Sequence, residues 1–363
     1  MKLSASDRNS QISRTLEELL KTGSRTKARI PKILEGEVES LFHTHIWGHR
    51  EITLTILMAT LIDKSYRASR DLYACNPRSI YEKPIRSFLR KHDIPHKKSG
   101  PLNVAKNIRR INADWAANKR GDEIAMNVVR IVKVLEKMSS REQEAFATAY
   151  IVRYAEEARR VKKMSYAPVL NGDAITLAEL CRDLIANVPD GGATPQLIAG
   201  LLIEASNTDR KATSLVKGHR DSVSTTNTTS KKAGDIVEER GGGYIVYEIT
   251  VKKFDEDRLR ESYEAIKADP RMNTVKEVIV ICRPEDVHPE ATRIADHFAD
   301  AVFVFEDVAY LFVNIFTWMA SQLVGITPTA RAGFHKELSQ YVNNINTSEK
   351  VKTYFKKWHE QAT

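Results

Sequence analysis

At 363 residues the chain is long enough for two ordinary domains. An apolar fraction of 42% and a charged fraction of 28% fit a soluble globular protein and argue against a disordered or membrane-spanning one. The formal charge of +9 favours a polyanionic partner, nucleic acid or an anionic membrane surface, without choosing between them.

The first half reads as helical. Ser6–Lys21 carries Ile12, Leu16, Leu19 and Leu20 at helical spacing. Glu35–Ala68 reads as one or two helices with a break near Gly48, and Ile85–His92 as a short helix. His43, His45 and His49 lie near Trp47, but residues two apart do not share a helix face, so packing or surface roles outweigh a zinc site. Ile94–Pro101 reads as a loop and Leu102–Asn118 as a helix. Asp122–Met138 and Arg141–Lys163 continue the amphipathic pattern. No strand-period run stands out before residue 200.

The stretch Arg86–Arg120 is strongly basic, against only Asp93 and Asp114. A basic loop feeding a helix start suits phosphate contacts, and asparagine can read adenine edges. Lys97, Lys98, Ser99, Asn103 and Lys106 are therefore candidate DNA contacts. The alternative is a solvated basic face.

The character of the chain changes after Met164. Asn171-Gly172 and Asp190-Gly191-Gly192 supply linker chemistry, which places an α-helical domain at 1–190 and a second domain at 191–363. Thr194-Pro195 predicts a helix start, with threonine capping, running past Glu204 to about Asn207. A polar run, Ser222–Lys232, follows; its Asn227, Lys231 and Lys232 are candidate contacts to a nucleic-acid backbone, with a flexible loop as the alternative.

Lys231–Lys253 then reads as two strands joined at Gly241-Gly242-Gly243. A hairpin centred there folds Asp235 back opposite Tyr247 or Glu248. Alternation along the second strand puts Glu248, Thr250 and Lys252 on one face. Two carboxylates this close repel each other, and a divalent cation between them relieves the repulsion. Asp255–Ala268, with Arg258, Arg260 and Glu261, reads as a charged helix that follows the hairpin directly; it either flanks the site or, as the preferred reading, is solvated and laced with i,i+4 pairs. Val275–Cys282 is an apolar strand, Glu290–Asp300 a helix, Ala301–Phe305 a strand and Asp307–Leu323 a helix. The apolar runs Glu51–Asp63 and Val308–Ile326 read as buried helices; neither is a good transmembrane candidate. Cys75, Cys181 and Cys282 share no motif spacing, and no apolar leader precedes a cleavage site, so the expectation is a cytoplasmic protein.

A helix bearing an acid, a strand bearing Asp and a second strand bearing Glu-x-Lys resembles the PD-(D/E)XK nuclease superfamily, the core of most type II restriction endonucleases, over roughly Thr194 to Phe305. The resemblance implies an α/β fold: a mixed-sheet, restriction-endonuclease-like core with an α-helical N-terminal domain. It implies Mg2+ held by Asp235 and Glu248, Glu204 as an accessory helix acid, and Lys252 assisting the attacking water. The sequence departs from the pattern where Gly234 stands for proline and Thr250 for the usual lysine. The implied activity is Mg2+-dependent, site-specific cleavage of double-stranded DNA by a homodimer. The alternatives are a repair or RNA nuclease of the same fold without a fixed site, and a non-catalytic DNA-binding protein.

Overall fold

The computed structural model describes residues 4–26, 28–44, 46–98, 100–118, 122–220, 233–294 and 299–362. The chain divides into two compact units, Met1–Met164 and Ser165–Thr363. The boundary therefore falls earlier than the expected 190, and a helix at 174–187 belongs to the second unit.

Among its described residues the first unit is all helical: α1 (Ala5–Arg25), α2 (Glu35–His43), α3 (Gly48–Ile62), α4 (Pro77–Ile80), α5 (Arg86–Lys91), α6 (Gly100–Ala105), α7 (Ala113–Ala117), α8 (Asp122–Leu135) and α9 (Ser140–Lys162). The ends are chemically marked. Ser4 accepts from the Asp7 N–H at 3.1 Å to start α1, and Ser139 with Glu142 forms a capping box at α9. The apolar stripe Ile12, Leu16 and Leu19 of α1 is buried in one core with Leu54, Leu57, Val128, Val132, Phe146 and Tyr150. The expected helix Leu102–Asn118 is two short ones: the chain leaves α6 through Asn107, at φ 63°, and restarts where Asn112 caps α7.

The second unit is α/β. It contains α10 (Ala174–Asn187), α11 (Ala193–Asp209), β1 (Ser214–Lys217), β2 (Ile236–Arg240), β3 (Gly243–Thr250), α12 (Glu256–Ala268), β4 (Glu277–Cys282), β5 (Thr292–Arg293), β6 (Ala301–Phe305), β7 (Val308–Asn314), α13 (Ile315–Val324), α14 (Pro328–Asn343) and α15 (Glu349–Ala362). The strands form one mixed sheet in the order β1-β2-β3-β4-β7-β6-β5. Its centre, β3-β4-β7, is parallel; the remaining neighbours are antiparallel. Side chains alternate between two cores. Ile236, Tyr247, Ile249 and Ile281 pack with α10, α11, α13, α14 and α15. Val237, Val246, Val278, Val280 and Phe312 pack with Leu259 and Ile266 of α12.

Three expected elements are corrected. Asp307–Leu323 is not one helix: Glu306, at φ 53°, turns the chain, β7 pairs with both β4 and β6, and Asn314 caps α13 by accepting from the Phe316 N–H at 2.9 Å. A continuous apolar run does not distinguish a central strand from a buried helix by period, and here pairing on both edges decides. In place of a helix at Glu290–Asp300, the described residues form the short strand β5, paired with β6. At α11 the cap is Gly192, at φ 104°; the Thr194 hydroxyl instead donates to the Val188 carbonyl at 3.0 Å. Among the described residues no helix is long and apolar enough to cross a membrane, and all three cysteines are buried and free.

Candidate active site

The hairpin β2–β3 turns through Gly241 (φ 57°) and Gly242 (φ 80°), a two-residue loop whose positive φ values glycine adopts without strain. The register pairs Ile236 with Tyr247, so Asp235, one residue before β2, comes opposite Glu248. Gly234 explains its own departure from proline. A Cβ there would lie 2.7 Å from Val246 Cγ1 and 2.9 Å from the Tyr247 carbonyl oxygen, leaving no room beside β3.

The two expected metal-holding acids are thus brought together. Their side chains interact, and the charge of Asp235 works against ionisation of Glu248. Asp235 is half-buried, and its Oδ2 accepts from the Ile249 N–H at 3.0 Å. Glu248 is only 2% exposed, and its Oε1 accepts from Ser262 Oγ at 2.9 Å. Burial, then the charge of Asp235, pushes the Glu248 carboxyl far above the usual carboxylate range; the nearby Arg258 charge and the Ser262 hydroxyl pull the other way. The donor set is hard oxygen, the like-charge repulsion is only partly relieved, and Asp235 is half-buried. That combination fits a hard divalent cation.

Lys252 does not join this pair. β3 ends at Thr250, and the strand alternation ends with it. Thr250 Oγ1 accepts from the Lys252 N–H at 3.0 Å and donates to the Lys252 carbonyl at 2.8 Å, closing a turn that leaves the lysine side chain exposed. Thr250 itself stays on the site face, 3% exposed, and accepts a hydrogen bond from Arg258 Nη1.

Glu204 is engaged elsewhere. Its carboxylate meets His219 Nε2 and Arg220 Nη2, both at 3.1 Å, and Arg220 also reaches Glu337 at 3.2 Å. Burial opposes its charge, but the His219 hydrogen bond and the His219 and Arg220 charges outweigh burial and hold the Glu204 carboxyl below its ordinary value. Among the described residues no three His, Cys, Asp or Glu side chains gather as a metal-holding group. From α11, Gln196 reaches the backbone next to the pair: its Nε2 donates to the Gly218 carbonyl at 3.0 Å and the Asp235 carbonyl at 3.3 Å.

Sequence patterning missed Gln196 and Ser262, and placed Arg258 on a helix next to the hairpin without a contact. The available signal for the last two was spacing: Arg258 and Ser262 are one helical turn apart, and they face Thr250 and Glu248, two apart on a strand. The exposed i,i+4 pair expected on the same helix exists as well, Arg260 to Glu256 at 3.4 Å.

In the first unit, the loop of candidate DNA contacts is held by buried groups of other elements. Arg50 Nη2 donates to the Pro95 carbonyl at 2.9 Å, the Lys97 N–H donates to Glu51 Oε1 at 2.7 Å, and the Tyr81 hydroxyl donates to the Lys97 carbonyl at 2.5 Å. Lys97 Nζ lies 4.9 Å from the centre of the Trp47 ring, a cation–π contact. Lys98, Asn103 and Lys106 are exposed. Ser99, Asn227, Lys231 and Lys232, as well as His45, lie outside the described residues. His43 is exposed beside Glu39, whereas His49 is buried edge-on to Trp115.

No protein-family model and no curated protein matches this chain.

Proposed function

We propose that this protein is a Mg2+-dependent endonuclease that hydrolyses phosphodiester bonds of double-stranded DNA, acting at a short specific site in the manner of a type II restriction endonuclease. The observation that carries the reading is the contact between Asp235 and Glu248 on paired strands, beside the parallel centre of a mixed sheet. Asp235 and Glu248 would hold the ion; when bound, Mg2+ supplies a polarised water and neutralises charge on the phosphate. The chain's own groups keep the ligands aimed. The Ile249 N–H orients Asp235 and the Ser262 hydroxyl orients Glu248, the kind of outer partner that fixes a ligand's geometry. The exposed Lys98, on a loop held by Arg50, Glu51 and Tyr81, with Asn103 on α6 and Lys106 just after it, are the proposed phosphate and base contacts. A homodimer would match a palindromic site.

The test is cleavage of a defined supercoiled plasmid with Mg2+. The wild-type protein gives discrete fragments; Asp235→Ala and Glu248→Ala each lower the rate by about 1,000-fold or more, as expected when a metal's ligands are lost. Normal cutting by both variants overturns the assignment. A smear in place of fragments selects a nuclease without a fixed site. The exposed side chain of Lys252 favours a second reading, a DNA-binding protein that does not cut. Salt-dependent binding with no Mg2+-dependent nicking would establish that one.

A further inference from the structure

We propose that Gln196 is a positioning residue for Asp235: its side-chain amide grips the backbone of that acid, and Glu204, two turns further along the same helix, fastens the stretch of chain that completes the grip. The inference rests on the metal-holding part of the nuclease reading. It deepens that reading by assigning what keeps one proposed ligand in place, and by giving Glu204 a task away from the ion.

The two acids are supported unequally. Glu248 lies inside β3, which pairs with β2 on one side and β4 on the other, so the sheet fixes its backbone. Asp235 lies one residue before β2, at the end of that pairing. Gln196, in the first turn of α11 and only 4% exposed, supplies a second hold there. Its Nε2 donates to the Asp235 carbonyl at 3.3 Å and to the Gly218 carbonyl at 3.0 Å. Turned over, the amide would set its oxygen against two carbonyl oxygens, so its orientation is fixed.

Two glycines let the chain come this close. Gly218, at φ 104°, follows β1, and a Cβ there would lie 2.1 Å from the Asp235 carbonyl oxygen. A Cβ at Gly200 would lie 2.0 Å from the His219 Cβ, so only glycine at 200 lets His219 rest on the helix. Gln196, Gly200 and Glu204 follow one another four residues apart and share one face of α11. The chain crosses that face in order, Gly218 at Gln196, His219 at Gly200, and His219 with Arg220 at Glu204.

Glu204 closes the clamp. Its Oε1 meets His219 Nε2 and its Oε2 meets Arg220 Nη2, each at 3.1 Å, and Arg220 continues to Glu337 on α14 at 3.2 Å. Residues 218–220 are thus fastened between two helices, and at their near end they share the Gln196 amide with Asp235. The Asp235 carboxylate is held from another direction, by the Ile249 N–H of β3 at 3.0 Å. Backbone and side chain are fixed separately, one by α11 and one by β3, which aims the carboxylate in advance of an ion. Glu204 acts on the ion at one remove, through the chain it fastens.

The experiment titrates the full-length protein with Mn2+, followed by electron paramagnetic resonance, and measures plasmid cleavage with Mn2+ in parallel. The variants are Gln196→Met, Glu204→Gln, Arg220→Gln and the double variant Glu204→Gln/Arg220→Gln. Methionine matches glutamine in length and lacks the donor. Gln196→Met is expected to weaken Mn2+ binding about 10- to 100-fold, the scale for losing an outer partner of a metal ligand. Its KM for plasmid stays within about 3-fold of wild type while its rate falls, and raising Mn2+ restores the rate, a response that an unfolded fraction would not give. Glu204→Gln and Arg220→Gln each weaken Mn2+ by about 5-fold and leave the number of bound ions unchanged. The double variant is no worse than the poorer single one, as for two residues that act as a unit.

If Gln196→Met binds Mn2+ as the wild type does, this inference fails, while an active wild type and an inactive Asp235→Ala leave the nuclease reading standing. If Glu204→Gln loses a bound ion, or its effect adds to that of Arg220→Gln, Glu204 is a ligand and the clamp is refuted. Should Gln196→Met not fold, Arg220→Gln carries the test, because that side chain is 54% exposed; an unchanged Mn2+ affinity there overturns the inference. A wild type that binds Mn2+ with these variant effects and never cuts removes the nuclease reading and leaves the clamp. A wild type that binds no Mn2+ removes both.

Discussion

Each unit of this chain buries a glutamate completely, and the two are treated in opposite ways. Glu51, on α3, is 0% exposed and receives the Lys97 N–H, with the buried Arg50 beside it. Burial pushes its carboxyl up to about 7, and its neighbours all work to bring it down. Glu248 is equally deep, but its closest charged neighbour is another carboxylate, which pushes the same way as burial. Burial alone is therefore no mark of a working site. What singles out Glu248 is a repulsion that the protein's own groups leave incompletely relieved.

The comparison is broken most strongly by truncation. Glu51→Ala leaves the Lys97 N–H without its partner, and is expected to cost about 2 kcal/mol in urea unfolding. Glu248→Gln removes a repulsion instead, so the metal-free protein should gain about 1 kcal/mol at alkaline pH by the same measurement. A Glu248→Gln protein that loses as much as Glu51→Ala would erase the distinction.

A second pair of buried groups sharpens it through acid. His335 and His359 stack 5.2 Å apart with Nε2 atoms 3.1 Å from each other. Burial, then the charge of His359, drives His335 down to about 4. The unfolded chain binds protons near pH 6.5 and the folded one does not, so this contribution is complete above about pH 6.5 and is lost as pH falls toward 4. The expected loss is about 2 kcal/mol, read as the fall in the urea midpoint between pH 7 and pH 4.5 that His335→Phe abolishes.

Glu248 runs with the opposite sign. Its raised folded value makes its contribution full below the ordinary glutamate range, and that contribution fades as pH rises through the folded value. On the proposed reading Mg2+ would compete with that proton, so the rise in melting temperature on adding Mg2+ should grow from pH 6 to pH 8.5, and Glu248→Gln should flatten the trend. At the small end, the exposed pair Arg260–Glu256 touches neither site, and Arg260→Ala should change stability by less than about 0.5 kcal/mol.

Much of this was legible in the chain, and the gaps have physical causes. The glycine turn and alternating residues are enough to bring Asp235 opposite Tyr247 or Glu248, because hairpin pairing is local, and the strand register settles on Glu248. Lys252 was misplaced because alternation says nothing about where a strand stops, and the Thr250 hydroxyl stops it. β7 was read as part of a helix because an apolar run between two neighbours looks alike in either form. The sequence leaves the Arg258 helix open between flanking the site and facing solvent and does not single out Ser262, since which face of a helix meets a sheet depends on crossing geometry that no residue spacing encodes. The helices α14 and α15 went unread, and they close the core around Leu177, Leu180 and Ile198.

The shortness of the loop at Gly241-Gly242 has a last consequence. With only two residues to reverse direction there is no slack, so the loop acts as a ruler that sets which atom of one strand meets which atom of the next. A slip by a single position would rotate every side chain of the hairpin to the opposite side of the sheet. Asp235 and Glu248 would then be parted from Ser262 and Arg258 while the sheet stayed paired. Whatever chemistry this protein performs, its calibration is stored in a stretch of backbone that carries no reactive group at all.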